Sequence, residues 1–545
     1  MYRRAHAAES RQLATTARLV GALLAVQLRN LLVDGGTMAF TRHGQGDAVE
    51  TADINVAVAA GNRLSENFVA NNADGIPGAA APGAPALTPS TPFVHLFKDL
   101  QSNPINLLPM NPNSPADTRA DIEAALTNLG LTMQDPGEAR ITDSHIPAAY
   151  TYFGQFVDHD ITSEQLDGTN ARTPDLDLDN VYGAGSVRDG DFMVLGTVSR
   201  PEQAGVVPGD DKDLPRTIAS PGNRGGQAQI GDARNDENLI IAQLHVAFLR
   251  AHNNAVTNER LPFAKAQTLI RQHYQWIVLH DFLRRITDPA IVDKAAVKNE
   301  FFTPPDPLLM PFEFSVAAFR FGHSMVRQGY NNFNSEINPA RLDQLFTFTG
   351  MGGFAGFQPK DRLPAKWIID WAKFVDVGST PNLARKIDTT LVPKLFDIPT
   401  RGLNGFPGNA HLSVRNLLRG YIRNLPTGQA IAQRMGFTPL PASEIESVAA
   451  AVSDGQLAAV RQSQFTTRTP LWYYILAEAA HGGKDHLGPV GSTIVAEVLV
   501  EVLRRSTDSI LCPPHTPSNP WVPTLPSAKN GEFELSDLLR FAGVL

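Results

Sequence analysis

Apolar residues recur at helical spacing along much of the chain, whereas runs in which apolar and polar residues alternate are few. The apolar side chains at positions 240, 241, 244, 248 and 251 fall on one face of a helix. Residues 469–479 and 487–498 show similar patterns, and the second begins at a proline and glycine break. Proline and glycine are dense between these segments. The pattern predicts a mainly α fold with little β structure.

The segment Tyr150–Thr162 combines large apolar residues with a small polar set. Gln155 and His159 are four residues apart, so a helix places both on one face. Asp158 and Asp160 lie about 100° to either side of His159 on such a helix. One alternative is a solvated Asp-His-Asp turn. The apolar flank argues for burial, where polar groups need partners; it consists of Phe153, Phe156, Val157 and Ile161.

Composition divides the chain into three parts. Residues 1–73 predict a helix followed by an irregular polar extension, and residues 74–92 are rich in proline, alanine and glycine, as in a linker. The main domain is predicted to cover residues 93–545, with its core at 93–505 and a C-terminal tail after it. The proline-rich segment Cys512–Pro526 is expected to lie at the surface of that tail.

Charge and cysteine content exclude several classes of function. The net charge is −8, without a basic stripe, which argues against nucleic acid as a partner. The single cysteine, Cys512, rules out an intrachain disulfide, a cysteine-based zinc or iron–sulfur site and haem attachment through Cys-x-x-Cys-His. No apolar run reaches the roughly 18 residues of a membrane span.

The N-terminal region leaves two interpretations open. Leu19–Leu28 is a ten-residue apolar run preceded by arginines, which fits either a signal segment or an amphipathic helix that packs on the domain. We expect a secreted or cell-surface location rather than a cytoplasmic one, although the flanks of this run do not make a convincing signal peptide.

The segment Tyr150–Thr162 resembles the distal-side helix of the animal-type haem peroxidases. The resemblance implies a single large helical haem peroxidase domain that binds haem b and calcium. It also implies roles for four residues, a base at His159, a hydrogen-bonding Gln155, a haem-ester carboxylate at Asp158 and a calcium ligand at Asp160.

Residues 173–183 carry a carboxylate at every second position, at Asp175, Asp177 and Asp179. In an extended loop these side chains point the same way, and hard oxygen ligands so arranged suit Ca²⁺. The alternative is an acidic surface loop. In the resembled family a calcium loop precedes a Val-Tyr-Gly sequence, as here, and the implied ligands are Asp160, Thr173, Asp175, Asp177 and Asp179. Which oxygens at positions 175 and 179 bind stays open.

Arg234 and Glu237 stand at the predicted start of the helix that contains positions 240–251. Asn235 or Asp236 can cap this helix, and Glu237 in its first turn suits the helix dipole. The simplest interpretation of Glu237 is a capping acid. The resemblance instead implies that Arg234 lies over the haem and that Glu237 forms a haem ester.

The same helix carries two further histidines, His245 and His252, which lack a carboxylate partner at ligand spacing and are interpreted as structural. Asn238 stands where myeloperoxidase has a methionine that forms a third haem link. The resemblance therefore implies at most two covalent links.

A second histidine, His323, lies on an apolar segment predicted to be a buried helix, three residues after Arg320. Gly322 beside it leaves room for a flat ring. The sequence Phe-Arg-x-Gly-His resembles the proximal segment of the family, which implies that His323 is the axial haem ligand and that Arg320 faces a haem propionate. Asn416 and Arg419 resemble the proximal asparagine and the arginine that follows it, so Asn416 is the implied partner of His323.

The function that the resemblance implies is reduction of hydrogen peroxide with oxidation of a halide, thiocyanate or small aromatic donor. One alternative is a fatty-acid dioxygenase, which carries a radical-forming tyrosine shortly before the proximal histidine; here Arg320 lies three residues before His323 and no tyrosine is near. Another is a calcium-binding adhesion or structural protein without activity. The sequence does not identify the electron donor.

Overall fold

The computed structural model describes residues 90–108, 119–137, 143–164, 169–199, 212–221, 225–356, 361–398, 411–515, 518–529 and 531–545. All of them belong to one compact unit. The predicted N-terminal helix and extension, and the linker up to residue 89, lie outside the described residues.

Helices dominate the described structure, as the apolar spacing predicts. In chain order the α-helices are α1 Lys98–Gln101, α2 Arg119–Thr132, α3 Ala149–Ile161, α4 Asp179–Tyr182, α5 Leu239–Asn258, α6 Phe263–Ile277, α7 Leu283–Ile286, α8 Pro289–Val297, α9 Gly322–Met325, α10 Leu342–Thr347, α11 Leu412–Ile422, α12 Gly428–Arg434, α13 Ala442–Val452, α14 Asp454–Arg461, α15 Leu471–Gly482, α16 Pro489–Arg505 and α17 Leu535–Phe541.

The strands are short and pair only in twos within the described ranges. They are β1 Thr91–Pro92, β2 Asp143–Pro147, β3 Thr169–Asn170, β4 Arg188–Asp189, β5 Phe192–Met193, β6 Gly329–Tyr330, β7 Ala340–Arg341 and β8 Leu383–Arg385. The antiparallel pairs are β1 with β3, β2 with β8, β4 with β5 and β6 with β7. The mainly α prediction is therefore confirmed, and β2, which leads into α3, fixes where that helix starts.

An aromatic cluster sets the orientation of α3 in the core. Phe156 stacks on Phe248 of α5 with ring centroids 4.6 Å apart. Tyr274 of α6 meets both rings edge-on, at 6.2 and 5.8 Å, and all three side chains are at most 2% exposed. Burying each side chain contributes about 1.5–3 kcal/mol. Rotation of α3 would break these contacts, so the polar residues on its other faces have fixed directions.

The start of α5 differs from the prediction. The helix begins at Leu239 and is capped by Asn238, whose side chain accepts a hydrogen bond from Ile241 N at 3.1 Å. Residues Ala233–Asp236 instead form a separate 3₁₀ turn, capped by Asp232. Asn235 and Asp236 are therefore not the cap, and Glu237 precedes the helix rather than lying in its first turn.

The segment before His323 is helical but irregular. A π turn at Glu313–Ala317 is followed by a 3₁₀ turn at Ala318–Phe321 and then by α9. Ala317, with φ −129° and ψ −69°, marks the change of pitch. Apolar spacing alone predicted one regular helix, since it does not report such a change.

The described residues of Cys512–Pro526 are exposed or half-buried except Leu525, whereas several residues after this segment pack into the core. Leu525 is 5% exposed, and Leu535, Leu538 and Leu539 of α17 are fully buried. Asp281 accepts a hydrogen bond from Leu535 N at 2.9 Å. None of the described helices is both long and apolar enough to cross a membrane.

Candidate active site

His159 lies in the last turn of α3 and is 5% exposed. Its Nδ1 atom is 2.8 Å from Oδ1 of Asn235, and its Nε2 atom is 3.8 Å from Oε1 of Glu237. Burial, and then the positive charge of Arg234, lower the pKa of His159 to about 3. The imidazole is therefore neutral at physiological pH and can accept a proton.

Gln155 and Glu237 adjoin this histidine. Gln155 Nε2 donates to Oε1 of Glu237, and Asn238 Nδ2 donates to Oε1 of Gln155 at 3.1 Å. Burial raises the pKa of Glu237 to about 7, although its side chain is still 21% exposed. The structure thus brings Gln155, His159 and Glu237 together, as expected.

Arg234 is held by a carboxylate and by the backbone at the end of α3. One terminal nitrogen donates to the carbonyl oxygens of His159 at 3.2 Å and Thr162 at 2.7 Å. The same nitrogen is 2.7 Å from Oδ2 of Asp232, which Arg172 also contacts, at 2.6 Å. Although burial opposes it, Arg234 and then Arg172 hold the pKa of Asp232 well below its usual range. These contacts fix a positive charge beside His159.

Asp158 faces charges from two directions. Thr162 Oγ1 donates to its Oδ1 at 2.9 Å. Burial raises the pKa of Asp158 against the opposing effects of Arg234 and Arg320. The helix α3 also packs against α9, which carries His323. We call α3 with residues 232–238 the His159 side of the site, and residues 313–325 with α11 the His323 side. Asp158 therefore lies within the electrostatic reach of both sides.

His323 is half-buried and has one nitrogen engaged. Its Nδ1 atom is 2.9 Å from the amide of Asn416, which is 1% exposed. A Cβ atom built on Gly322 would meet nothing within 4 Å, so there is open space at the residue before His323. Burial, followed by Arg320 and Arg415, lowers the pKa of His323 to about 3. Because Nδ2 of Asn416 faces Nδ1, this ring nitrogen carries the lone pair and Nε2 carries the proton; Nε2 becomes free for a metal when the oxygen of the amide faces Nδ1 instead.

The two arginines predicted on the His323 side have different partners. Arg320 Nε donates to Ser315 O at 2.9 Å, and its own carbonyl accepts from Trp472 Nε1 at 3.2 Å. Arg419 is 3.0 Å from Oε2 of Glu164. Glu164 follows α3 and also pairs with Arg423.

The structure gathers three of the five predicted calcium ligands. Oxygen atoms of Asp160, Asp177 and Asp179 lie within 4.8 Å of one another. Burial and then the neighbouring carboxylates raise the pKa of Asp177 to about 7 and that of Asp160 above its usual range. Asp175 instead accepts from Thr507 N at 3.0 Å and from Thr507 Oγ1 at 2.7 Å. Thr173 is exposed, and its carbonyl accepts from Asp175 N at 2.8 Å.

Sequence reasoning missed several residues that hold the site. The sequence pattern predicts a helix cap at Asn235 or Asp236 and assigns no role to Asp232, Arg172 or Glu164. Asp232 lies two residues before Arg234, at the spacing of a capping aspartate, and this signal could have found it. The contact of Asn235 with His159 spans 76 residues, so no local pattern predicts it.

The mainly helical fold sets the buried His159 beside Arg234, and the helix that carries His159 packs against α9, which carries the half-buried His323. Residues 163–350 match the family model of the animal haem peroxidases. The matched range contains Arg234, Glu237, Arg320 and His323 and begins shortly after His159. This part of the chain is therefore similar to the animal haem peroxidases.

Two known proteins are similar in sequence to part of this chain. A peroxidase-like protein of Margaritifera margaritifera is 30% identical over 128 residues, which are 21% of this chain and 16% of that protein. Thyroid peroxidase of Canis lupus familiaris is 28% identical over 122 residues, 20% of this chain and 13% of that protein. The chain thus spans less than a fifth of these relatives.

Among solved structures, peroxidase A of Dictyostelium discoideum superposes with a TM-score of 0.52 at 17% identity. The match covers 78% of this chain and 89% of that one. It shows that the described helices follow the same fold.

Proposed function

We propose that this protein is a haem peroxidase that reduces hydrogen peroxide and oxidises a halide, thiocyanate or small aromatic donor. The observation that carries the proposal is the environment of His159. The imidazole is buried and neutral, its Nδ1 atom faces an amide oxygen, and a fixed guanidinium lies beside it. A group that must take up and return a proton needs this combination.

The residues present fit a haem group. His323 offers a neutral ring with open space at Gly322 before it, and Asn416, with its amide oxygen turned to Nδ1, would hold that nitrogen and free Nε2 for the iron. Arg320 and Arg419 supply positive charge on the same side, which suits the propionates of haem. Haem, when bound, would supply an iron atom at which peroxide can react.

The chemistry of the chain itself is proton transfer and charge stabilisation. Nε2 of His159 would accept the proton of peroxide and return it to the leaving oxygen, which is typically worth about 10²–10⁴ in rate. Arg234 would stabilise the negative charge that develops as the oxygen–oxygen bond breaks, because Asp232 and two carbonyl groups already fix its direction.

Ester links between the haem and Asp158 and Glu237 are a second part of the proposal. Burial raises the pKa of both carboxyl groups, that of Glu237 to about 7, and so shifts both toward the uncharged form. Acidified butanone should therefore fail to extract the haem from the protein. Free extraction would remove the ester links from the proposal and leave peroxidase activity untouched.

A calcium ion at Asp160, Asp177 and Asp179 is the third part. Arg172 pairs with Asp179 at 2.8 Å, and the remaining repulsion between the three carboxylates would be relieved by a cation or by protons. Metal analysis after dialysis should find about one calcium per chain, and Asp177→Asn should lose it. Equal calcium content in the two proteins would contradict the site.

The main test replaces the proposed base. His159→Ala should retain the haem Soret band but react with hydrogen peroxide about 10²-fold or more slowly in stopped-flow measurements. His145→Ala is the matched control, because this histidine is 95% exposed. If His159→Ala reacts at the wild-type rate, His159 is not the acid–base group.

A further inference from the structure

Two buried histidines contact opposite ends of one side-chain amide. Oδ1 of Asn235 lies 2.8 Å from Nδ1 of His159, and Nδ2 of Asn235 lies 3.0 Å from Nδ1 of His245. Asn235 and His245 are 0% exposed. The ring of His245 also meets Phe156 edge-on at 6.2 Å, so all three polar side chains are enclosed in the core beside α3.

The chemistry of the amide couples the two rings. An amide has an acceptor end and a donor end, whereas a neutral imidazole has one N–H and one lone pair. Oδ1 of Asn235 therefore accepts a hydrogen bond from Nδ1 of His159. Nδ2 donates to the lone pair on Nδ1 of His245. Consequently the two histidines carry their protons on opposite nitrogens, His159 on Nδ1 and His245 on Nε2.

This arrangement leaves a lone pair on Nε2 of His159, the nitrogen near Glu237. If the amide were rotated by 180°, Nε2 of His159 would carry the proton and could not act as a base. His245 couples to that rotation, because its Nδ1 would then have to donate to the oxygen end of the amide, so that both histidines would have to change tautomer together.

Packing alone does not explain a histidine at position 245. Its Nε2 atom is buried and finds no hydrogen-bond partner within the described part of the chain. A buried polar atom without a partner costs stability, and a leucine would fill similar space without that cost. The hydrogen bond to Asn235 is what an apolar side chain could not provide.

We propose that His245, acting through Asn235, is a positioning residue that keeps Nε2 of His159 free to accept a proton. The inference rests on the proposed function of His159 as the base. It assigns to His245 a part in the reaction, although this residue lies outside any contact with peroxide.

Two substitutions separate positioning from packing. His245→Asn keeps an acceptor close to the position of Nδ1, whereas His245→Leu keeps the apolar volume and removes the acceptor. Positioning predicts that Leu is the damaging change and that Asn rescues it. Packing predicts the reverse, because Leu suits an apolar core and Asn does not.

The first readout is the tautomer of His159. Nitrogen NMR of ¹⁵N-histidine-labelled full-length protein, in the diamagnetic ferrous carbon monoxide form where it carries haem, distinguishes an N–H nitrogen from one with a lone pair. The His159 signals are those missing from His159→Ala. Wild type and His245→Asn should show the N–H at Nδ1, and His245→Leu should show a mixture.

The second readout is the rate with hydrogen peroxide, which should fall about 10-fold in His245→Leu and stay within about twofold of wild type in His245→Asn. Unchanged tautomer and rate in His245→Leu, or equal losses in both variants, would overturn the inference. If wild type does not react with peroxide at all, the proposed function fails, but the NMR comparison still decides whether His245 sets the tautomer. If His245→Leu does not fold, His245→Ala, which also removes the acceptor and leaves Asn235 in place, provides the same comparison of His159 signals.

Discussion

The His159 side and the His323 side of the site are built differently. His159 sits on a regular helix and is tied to buried polar partners, including Asn235 and the Asp232 ion pairs. His323 follows a π turn and a 3₁₀ turn, is half-buried, and has the amide of Asn416 at its Nδ1. A proton-transfer group needs a fixed tautomer and direction, whereas a metal ligand needs an open face. The buried and hydrogen-bonded surroundings of His159 therefore suit proton transfer, and the more open surroundings of His323 suit metal ligation.

The largest expected effect comes from breaking the ion pairs of the His159 side. Asp232→Asn leaves Arg172 and Arg234 without their shared carboxylate in a buried place. We expect a loss of about 3–5 kcal/mol in the free energy of unfolding, measured by urea denaturation. Asp293→Asn is the matched control, because Asp293 is 62% exposed and its pair with Arg284 should contribute at most about 1 kcal/mol. Similar losses of unfolding free energy in the two variants would mean that the ion pairs of Asp232 do not stabilise the His159 side.

A smaller effect on the free energy of unfolding, which depends on pH, is expected at α15, the helix whose Trp472 contacts Arg320 of the His323 side. Trp472 and Glu478 share α15, and Glu478 accepts from Val490 N at 2.9 Å. Burial raises the pKa of Glu478 from 4.5 to about 7. Between these values the folded protein binds more protons than the unfolded chain, so this residue lowers stability as pH rises.

Glu478→Gln keeps an acceptor for Val490 N and removes the titration. Relative to wild type, this variant should gain stability between pH 5 and pH 8, by up to about 3 kcal/mol. Urea unfolding at both pH values measures the difference. A constant difference between the two proteins would show that Glu478 does not titrate in this range.

The smallest expected effect concerns the partner of His323. Asn416→Asp places a negative charge 2.9 Å from the ring and makes the histidine a stronger donor. The Fe(III)/Fe(II) potential should fall by on the order of 60 mV, equivalent to a tenfold change for one electron, in a redox titration. Asn235→Asp is the paired control, since it alters His159 instead and should shift the potential less. If both substitutions shift the potential equally, the two sides do not differ as proposed.

The sequence predicted what local spacing can determine. The helical fold, the shared face of Gln155 and His159, and the grouping of Asp160 with Asp177 and Asp179 all follow from periodicity or from the resemblance. Neither periodicity nor the resemblance predicted the change of helical pitch before His323 or the late start of α5. Side-chain caps and tertiary packing decide these two features. Partners far apart in the chain, such as Asn235 for His159, carry no local signal.

Glu164 connects the two sides of the site by ion pairs. Its carboxylate, 4% exposed, joins the chain just after α3 to Arg419 and Arg423 of the opposite side. Movement of the end of α3 away from α11 would pull two ion pairs apart in a place that water barely reaches. One carboxylate thus restricts how far these two helices can separate.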